Sequence, residues 1–300
     1  MAQNSLRRSP WPVVAVFMMP SFLGFLLFMA IPMFAALGIS LTNFSGGPNF
    51  RFVGLTNYIN AFKSTGFLKY LSITVNFAFW TVLAQLILGL AFALLLNEAF
   101  FGRNFLRGAM FLPNVLSAIA VGLIFSLILD PKRGPVNQFL LSLGLPAPPW
   151  LTGEKTALLT IIIVTVWQNF GYYMVLFLGG LQTINTTLYE AAAIDGARAV
   201  RRFLSITIPG LSPFLFFAVT IAIIRAFQVF DQIYIMTGGP WGGGPAGATT
   251  VLIFDIYKNA FSQFRFGYAA AESVMLLIII LAVTLVQQHG QKKWVSYDIV

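Results

Sequence analysis

Charged residues are missing from long stretches of this chain, and the intervals between them mark out its elements. No charge lies between Arg8 and Arg51, and the apolar part of that interval covers 13–37. Further charge-free intervals separate Lys69 from Glu98, Arg107 from Asp130, and Lys155 from Glu190. A fifth apolar run crosses Arg225 and Asp231, and a sixth begins near Tyr268. A helix needs about 20 apolar residues to cross the hydrocarbon of a bilayer. The pattern therefore predicts six membrane helices, at about 13–37, 72–97, 108–129, 157–181, 213–235 and 268–286. Pro20 and Pro32 fall inside the first, where a membrane helix tolerates proline.

The first run is too long for a cleaved signal peptide, and no small-residue cleavage site follows it. Arg7-Arg8 before it reads as a cytoplasmic anchor. The longer connections fall on one side and are rich in Gly, Pro and aromatic residues. One contains Gly238-Gly239-Pro240-Trp241-Gly242-Gly243-Gly244-Pro245, which reads as a flexible linker on composition alone. Val251 to Tyr257 after it reads as a short helix lying in the membrane interface. The chain shows no strong internal repeat, which argues against a carrier built from inverted repeats.

Composition narrows the class. Only 9% of the residues are charged against 58% apolar, with a mean hydropathy of +0.83. A soluble domain is charged at about 25% of its positions, so a soluble enzyme and a disordered chain are both excluded. The absence of cysteine removes disulfides, thiolate nucleophiles and Cys-ligated metals. The single histidine, His289, removes a His-rich metal site. Net charge is +9, but the basic residues are scattered between apolar runs, which fits a membrane surface and not nucleic acid. With both termini inside, nine basic residues fall inside and eight outside, but the inside ones are packed close to helix ends. That gives a modest preference for cytoplasmic termini.

The segment 185–209, between the fourth and fifth runs, carries the most information. It holds Glu190-Ala191-Ala192, then three residues, Gly196, nine residues, and Ile206-Thr207-Ile208-Pro209. Thr187 with Glu190 fits a capping box that opens a short helix, and Gly196 fits its left-handed C-terminal cap. Ala191 and Ala192 leave a flat face that another protein could approach closely. A lone Glu-Ala-Ala string would be an ordinary loop helix. At this spacing the segment resembles the EAA loop of bacterial ABC-importer permeases, with Ile208 where that pattern has Leu. Gly54-Leu55-Thr56-Asn57-Tyr58, Gly134-Pro135-Val136-Asn137, Phe230-Asp231-Gln232-Ile233-Tyr234 and Thr237-Gly238-Gly239-Pro240 extend the likeness to the sugar and glycerol-phosphate permeases.

The resemblance implies an all-α integral membrane protein of the type I importer fold, with six spans and both termini cytoplasmic. It implies one permease subunit paired with a second, homologous permease, two copies of a cytoplasmic ATPase and an external solute-binding protein, in a bacterial or archaeal cytoplasmic membrane. Glu190, Ala191, Ala192, Asp195, Gly196 and Arg198 would then face the ATPase. The chain has no phosphate-binding G-x-x-x-x-G-K-[ST] motif, so ATP and Mg would be held by that partner and this chain would bind no cofactor. No catalytic residues and no metal ligands are expected.

Polar side chains inside a membrane normally face the bundle interior or a wet cavity. The fourth run carries Thr165, Gln168, Asn169 and Tyr172, and the fifth carries Arg225, Gln228, Asp231 and Gln232. The resemblance puts Thr165, Gln168, Asn169, Tyr172, Arg225 and Gln228 at or beside the sugar contacts. Amides, hydroxyls and aromatic faces suit a saccharide or polyol. A purely structural role is equally open for Asn169 and Gln232. Arg225 needs an anion, either from Asp231 or Glu272 or from an anionic substrate such as glycerol-3-phosphate. A stand-alone secondary carrier would have to use Asp231 and Glu272 as its coupling acids. A membrane enzyme finds no nucleophile and base.

Overall fold

A computed structural model describes residues 11–295 of the chain. The anchor expected at Arg7-Arg8 lies outside the described residues. The fold is helical: α1 (Trp11–Phe25), α2 (Ile31–Ser40), α3 (Thr56–Lys63), α4 (Thr65–Asn97), α5 (Arg103–Val115), α6 (Ala118–Ile128), α7 (Pro135–Ser142), α8 (Ala157–Thr183), α9 (Thr186–Ile194), α10 (Ala199–Arg202), α11 (Ile208–Phe227), α12 (Asp231–Met236), α13 (Leu252–Tyr257) and α14 (Phe266–Trp294). Five of these stretches are long and apolar enough to cross a membrane, and α5 with α6 forms a sixth, bent by 95°.

Proline shapes the long helices without ending them. Pro32 follows a widened turn at Leu26–Ala30, and Pro209 follows another at Phe203–Thr207. Proline has no N–H for the carbonyl four residues back, so the backbone shifts to longer-range bonds: Ile31 N donates to Leu26, and Ile208 N to Phe203. The result is one helical path from α1 through α2, and another from α10 into α11.

The spans pack through small residues, as membrane helices must when lipid is as apolar as the core. A Cβ on Gly89 of α4 would lie 2.8 Å from Tyr173 Cβ of α8. Gly171 of α8 sits directly on the Met110 carbonyl of α5, and Gly180 packs on Leu211 and Phe214 of α11. The core is centred on α8, with Ile161, Tyr173, Met174 and Phe177 almost fully buried. α1 is the opposite case: Phe17 is 80% exposed, and only 6% of the apolar window in Val14–Ser40 is buried among the described residues.

Two of the stretches expected to span, 108–129 and 213–235, are interrupted in the structure. The backbone is extended at Leu116 and Ser117, between α5 and α6. α11 stops at Phe227, and the chain turns through Gln228 to Phe230 before α12 begins. The glycine-rich stretch is also not a loose linker. It forms two short turns, Gly239–Trp241 and Pro245–Gly247, fixed by Gly243 N donating to Thr237 Oγ1 (2.9 Å) and Lys69 Nζ donating to the Ala246 carbonyl (2.8 Å). α13 is not an interfacial helix, since Val251, Leu252 and Phe254 are fully buried against the bundle.

Candidate functional site

The loop joining α8 to α11 is a surface element. No residue of α9 is buried, and Glu190, Ala191, Asp195, Gly196 and Arg198 are exposed. Its cap differs from the expected capping box. Asn185 is the N-cap, and its side-chain oxygen accepts from Thr187 N (3.0 Å), so Thr187 lies inside the helix. At the other end Gly196 has φ +73°. Its N–H donates to Ala193 O (3.1 Å), and Ala197 N donates to Ala192 O (2.9 Å), the paired bonds of a Schellman cap. Tyr189 and Thr207 join hydroxyls at 2.9 Å, which ties α9 to the chain entering α11. Ile194 (88% exposed) and Val200 (70%) add apolar surface around the small Ala191 and Ala192. The loop thus offers a shaped, partly apolar surface on a helix whose ends are fixed.

The second site is a cleft of about 340 Å³ where α4, α8, α11 and α12 meet. Its polar lining is Thr81, Gln85, Thr165, Asn169, Arg225, Gln228, Asp231 and Gln232, beside Phe77, Tyr173 and Phe230. The interrupted helices build it. Breaking the chain at Leu116 frees a carbonyl, and the Gln168 side-chain amide donates to it (3.1 Å). Gln232 donates in turn to Gln168 Oε1 (3.0 Å). A second chain of bonds runs from Asn114 to Asn169 Oδ1 (3.2 Å), from Asn169 to Thr165 O (2.8 Å), and from Gln85 to the same carbonyl (3.2 Å). The hydroxyl oxygens of Thr81 and Thr165, buried in its wall, find no partner among the described residues.

Four of the six residues expected at the substrate, Thr165, Asn169, Arg225 and Gln228, line the cleft. Gln168 stands behind the wall, occupied by Leu116 and Gln232. Tyr172 supports Arg225, whose guanidinium lies 4.7 Å from the centre of its ring. The expected pairing of Arg225 with Asp231 or Glu272 is not formed: among the described residues no carboxylate lies within 4.0 Å of the guanidinium. Arg225 is exposed in the cleft, so it escapes the desolvation that would have demanded a protein anion. Glu272 is fully buried elsewhere, against Asn259. Thr81 and Gln85 were missed in the sequence. Their signal is two polar residues one helical turn apart within the second apolar run.

Known proteins share this architecture. Residues 85–295 match the family described as binding-protein-dependent transport system inner membrane component. The chain is 38% identical over 277 residues to the probable ABC transporter permease protein YurN of Bacillus subtilis, covering 91% of this chain and 93% of the relative. It is 37% identical to the trehalose/maltose transport system permease protein MalF of Thermococcus litoralis, covering 87% of each. Among solved structures, a bacterial alginate ABC transporter in complex with alginate pentasaccharide-bound periplasmic protein superposes with a TM-score of 0.83 at 22% identity, covering 95% of each chain.

Proposed function

Since the chain belongs to the family of binding-protein-dependent transport system inner membrane components, we propose that it is the permease subunit of an ATP-driven importer for a saccharide or polyol. One observation carries this reading. The helices that line the polar cleft, α8 and α11, are joined at their far ends by the exposed, doubly capped α9 loop. A partner that moved α9 as a rigid lever would tilt both walls of the cleft. Coupling of this kind needs one two-state element that both sites bias, and on this reading the α8–α9–α11 unit is that element.

On this reading Glu190, Ala191, Ala192, Asp195, Gly196 and Arg198 dock on a cytoplasmic ATPase dimer, which holds ATP and Mg and does the hydrolysis. A second, homologous permease completes the cleft, and an external solute-binding protein delivers the sugar. Both termini face the cytoplasm of a bacterial or archaeal cell. Thr165, Asn169, Arg225 and Gln228 contact the sugar, with Thr81 and Gln85 beside them, while Gln168 and Tyr172 hold the wall. The test is uptake by the assembled complex in vesicles. Uptake should require ATP and the binding protein. Uptake driven by an ion gradient without ATP would instead indicate a stand-alone carrier.

A second reading, an anionic sugar derivative such as glycerol-3-phosphate, is favoured by the unpaired guanidinium of Arg225 in the cleft. A planar guanidinium binds phosphate or carboxylate with paired hydrogen bonds. Arg225→Gln separates the two readings. It should leave expression intact in either case. A rise in half-saturating concentration confined to acidic or phosphorylated substrates supports the anionic reading, and an equal, small rise for all substrates supports the neutral one.

A further inference from the structure

Away from the cleft, α13 and the widened turn after it (Lys258–Ser262) pack on α14 through a polar cluster with no role in the function proposed above. The Asn259 amide donates to Asp255 Oδ2 (3.2 Å) and to Glu272 Oε2 (2.9 Å), so one nitrogen holds two carboxyl groups together. The two oxygens bound to that nitrogen are therefore at most about 6 Å apart. Independently, Glu272 has no solvent exposure, and its Oε1 meets no donor in hydrogen-bond geometry among the described residues.

The surrounding groups do not neutralise the pair. Tyr70 of α4 and Tyr268 of α14 are near both acids and are neutral phenols. Lys258 and Arg265 act on Asp255, but Lys258 lies over the Phe254 ring and Arg265 over the Tyr268 ring. Among the described residues no cation comes within 4.0 Å of either carboxyl. Burial raises the Asp255 carboxyl above the ordinary range. Two carboxylates in contact without a cation repel, whereas a carboxylic acid beside a carboxylate forms a short, charge-assisted hydrogen bond.

We propose that Asp255 and Glu272 share one proton and that this proton fastens the segment 252–262 to α14, so that the segment is released in alkaline solution. The O–H of one carboxyl donates to an oxygen of the other. When the proton leaves to solvent, a second negative charge remains in a buried site. The docked form binds more protons than the released form, so docking is strongest in acid and fades as pH rises.

The test uses the full chain in lipid nanodiscs and does not depend on what it transports. At neutral pH the infrared spectrum should contain the carbonyl band of a protonated carboxylic acid, sensitive to deuterium. The band should disappear in Glu272→Gln, and in Asp255→Asn it should shift, because the remaining acid no longer donates to a carboxylate. Amide hydrogen exchange over 252–262, corrected for its intrinsic pH dependence, should rise about tenfold in mild alkali, the response to one pK unit of linkage. Both variants should flatten that rise. If Glu272→Gln fails to assemble, Asp255→Asn alone decides, because it keeps Glu272 and removes only the shared charge. A neutral-pH spectrum with no protonated carboxyl, or an alkaline response equal in wild type and Asp255→Asn, overturns the proposal.

Discussion

At Gly196 the backbone is left-handed, and a side chain there would meet no neighbour within 4 Å. Gly196→Val therefore adds only backbone strain, about 1–2 kcal/mol, confined to the end of α9. The variant should insert normally but lose substrate-stimulated ATP hydrolysis, measured on the assembled complex. Full stimulation would remove the docking role. Gln168 and Gln228 separate wall from contact. Gln168→Leu strands the Leu116 carbonyl and the Gln232 amide, at about 1–3 kcal/mol for a buried group left unpaired. Its melting temperature in detergent should fall. Gln228 is exposed, and its side chain makes no hydrogen bond among the described residues. Gln228→Ala should melt like wild type and raise the half-saturating substrate concentration. These two glutamines look alike in the sequence, both polar within apolar runs. Only the chain break at Leu116 tells them apart, because it supplies the acceptor that holds Gln168.

The apolar runs were readable because a bilayer fixes the length of whatever crosses it. The interruptions were less so. Pro113 stands three residues before the extended pair Leu116–Ser117, yet Pro20 and Pro32 lie in helix that continues. Proline alone therefore does not mark a break. The turn at Gln228–Phe230 contains neither glycine nor proline, and it is tertiary packing of α12 on α6, through Gly122 against Ile235, that holds it. For α9 the cap was misread by two residues, since Asn185 and Thr187 are both good N-caps and only geometry chooses between them. The lever reading of α9 gives a direct test, made clean by a chain without cysteine. Single cysteines along 187–198 should crosslink to cysteines on the ATPase in at least one nucleotide state. If none does, the lever is wrong. The turn after α6 carries a pH prediction. Asp130 Oδ1 accepts from the amides of Lys132 (3.0 Å) and Arg133 (2.7 Å), and these bonds hold its carboxyl below the usual range. The turn should be fully formed above the ordinary carboxylate pKa and loosen as pH falls through the lowered value. Hydrogen exchange at residues 132 and 133, corrected for its intrinsic pH dependence, should lose protection in acid, and Asp130→Asn should abolish that loss.

Across the whole molecule, burial is uneven in a way that sequence hydropathy conceals. The windows of α1–α2 and α4 have the same mean hydropathy, 2.3, but 6% of the first is buried against 28% of the second. Apolar residues facing lipid and apolar residues facing protein look identical to a hydropathy scale. The one span that hydropathy ranks lowest, α8 at 1.6, is the most buried, at 61%. Its threonines, glutamine and asparagine lower its hydropathy because it lies where a cleft needs them.

Helix length has a further consequence for α4. Its 33 residues make a rod of about 50 Å, against a hydrocarbon layer of about 30 Å. Even with a moderate tilt, some turns must stand clear of the oil. The turns at the Thr65 end hold the glycine-rich loop, through Lys69 to Ala246 and through Thr74 Oγ1, which accepts from Leu252 N. α4 is thus a mast, with the loop as a platform fastened to its Thr65 end. Many carbonyls of that loop have no helix to serve them, and hydrocarbon would penalise each one. A helix longer than the oil layer lets such an irregular, glycine-built surface be held beyond the hydrocarbon instead of dissolved in it.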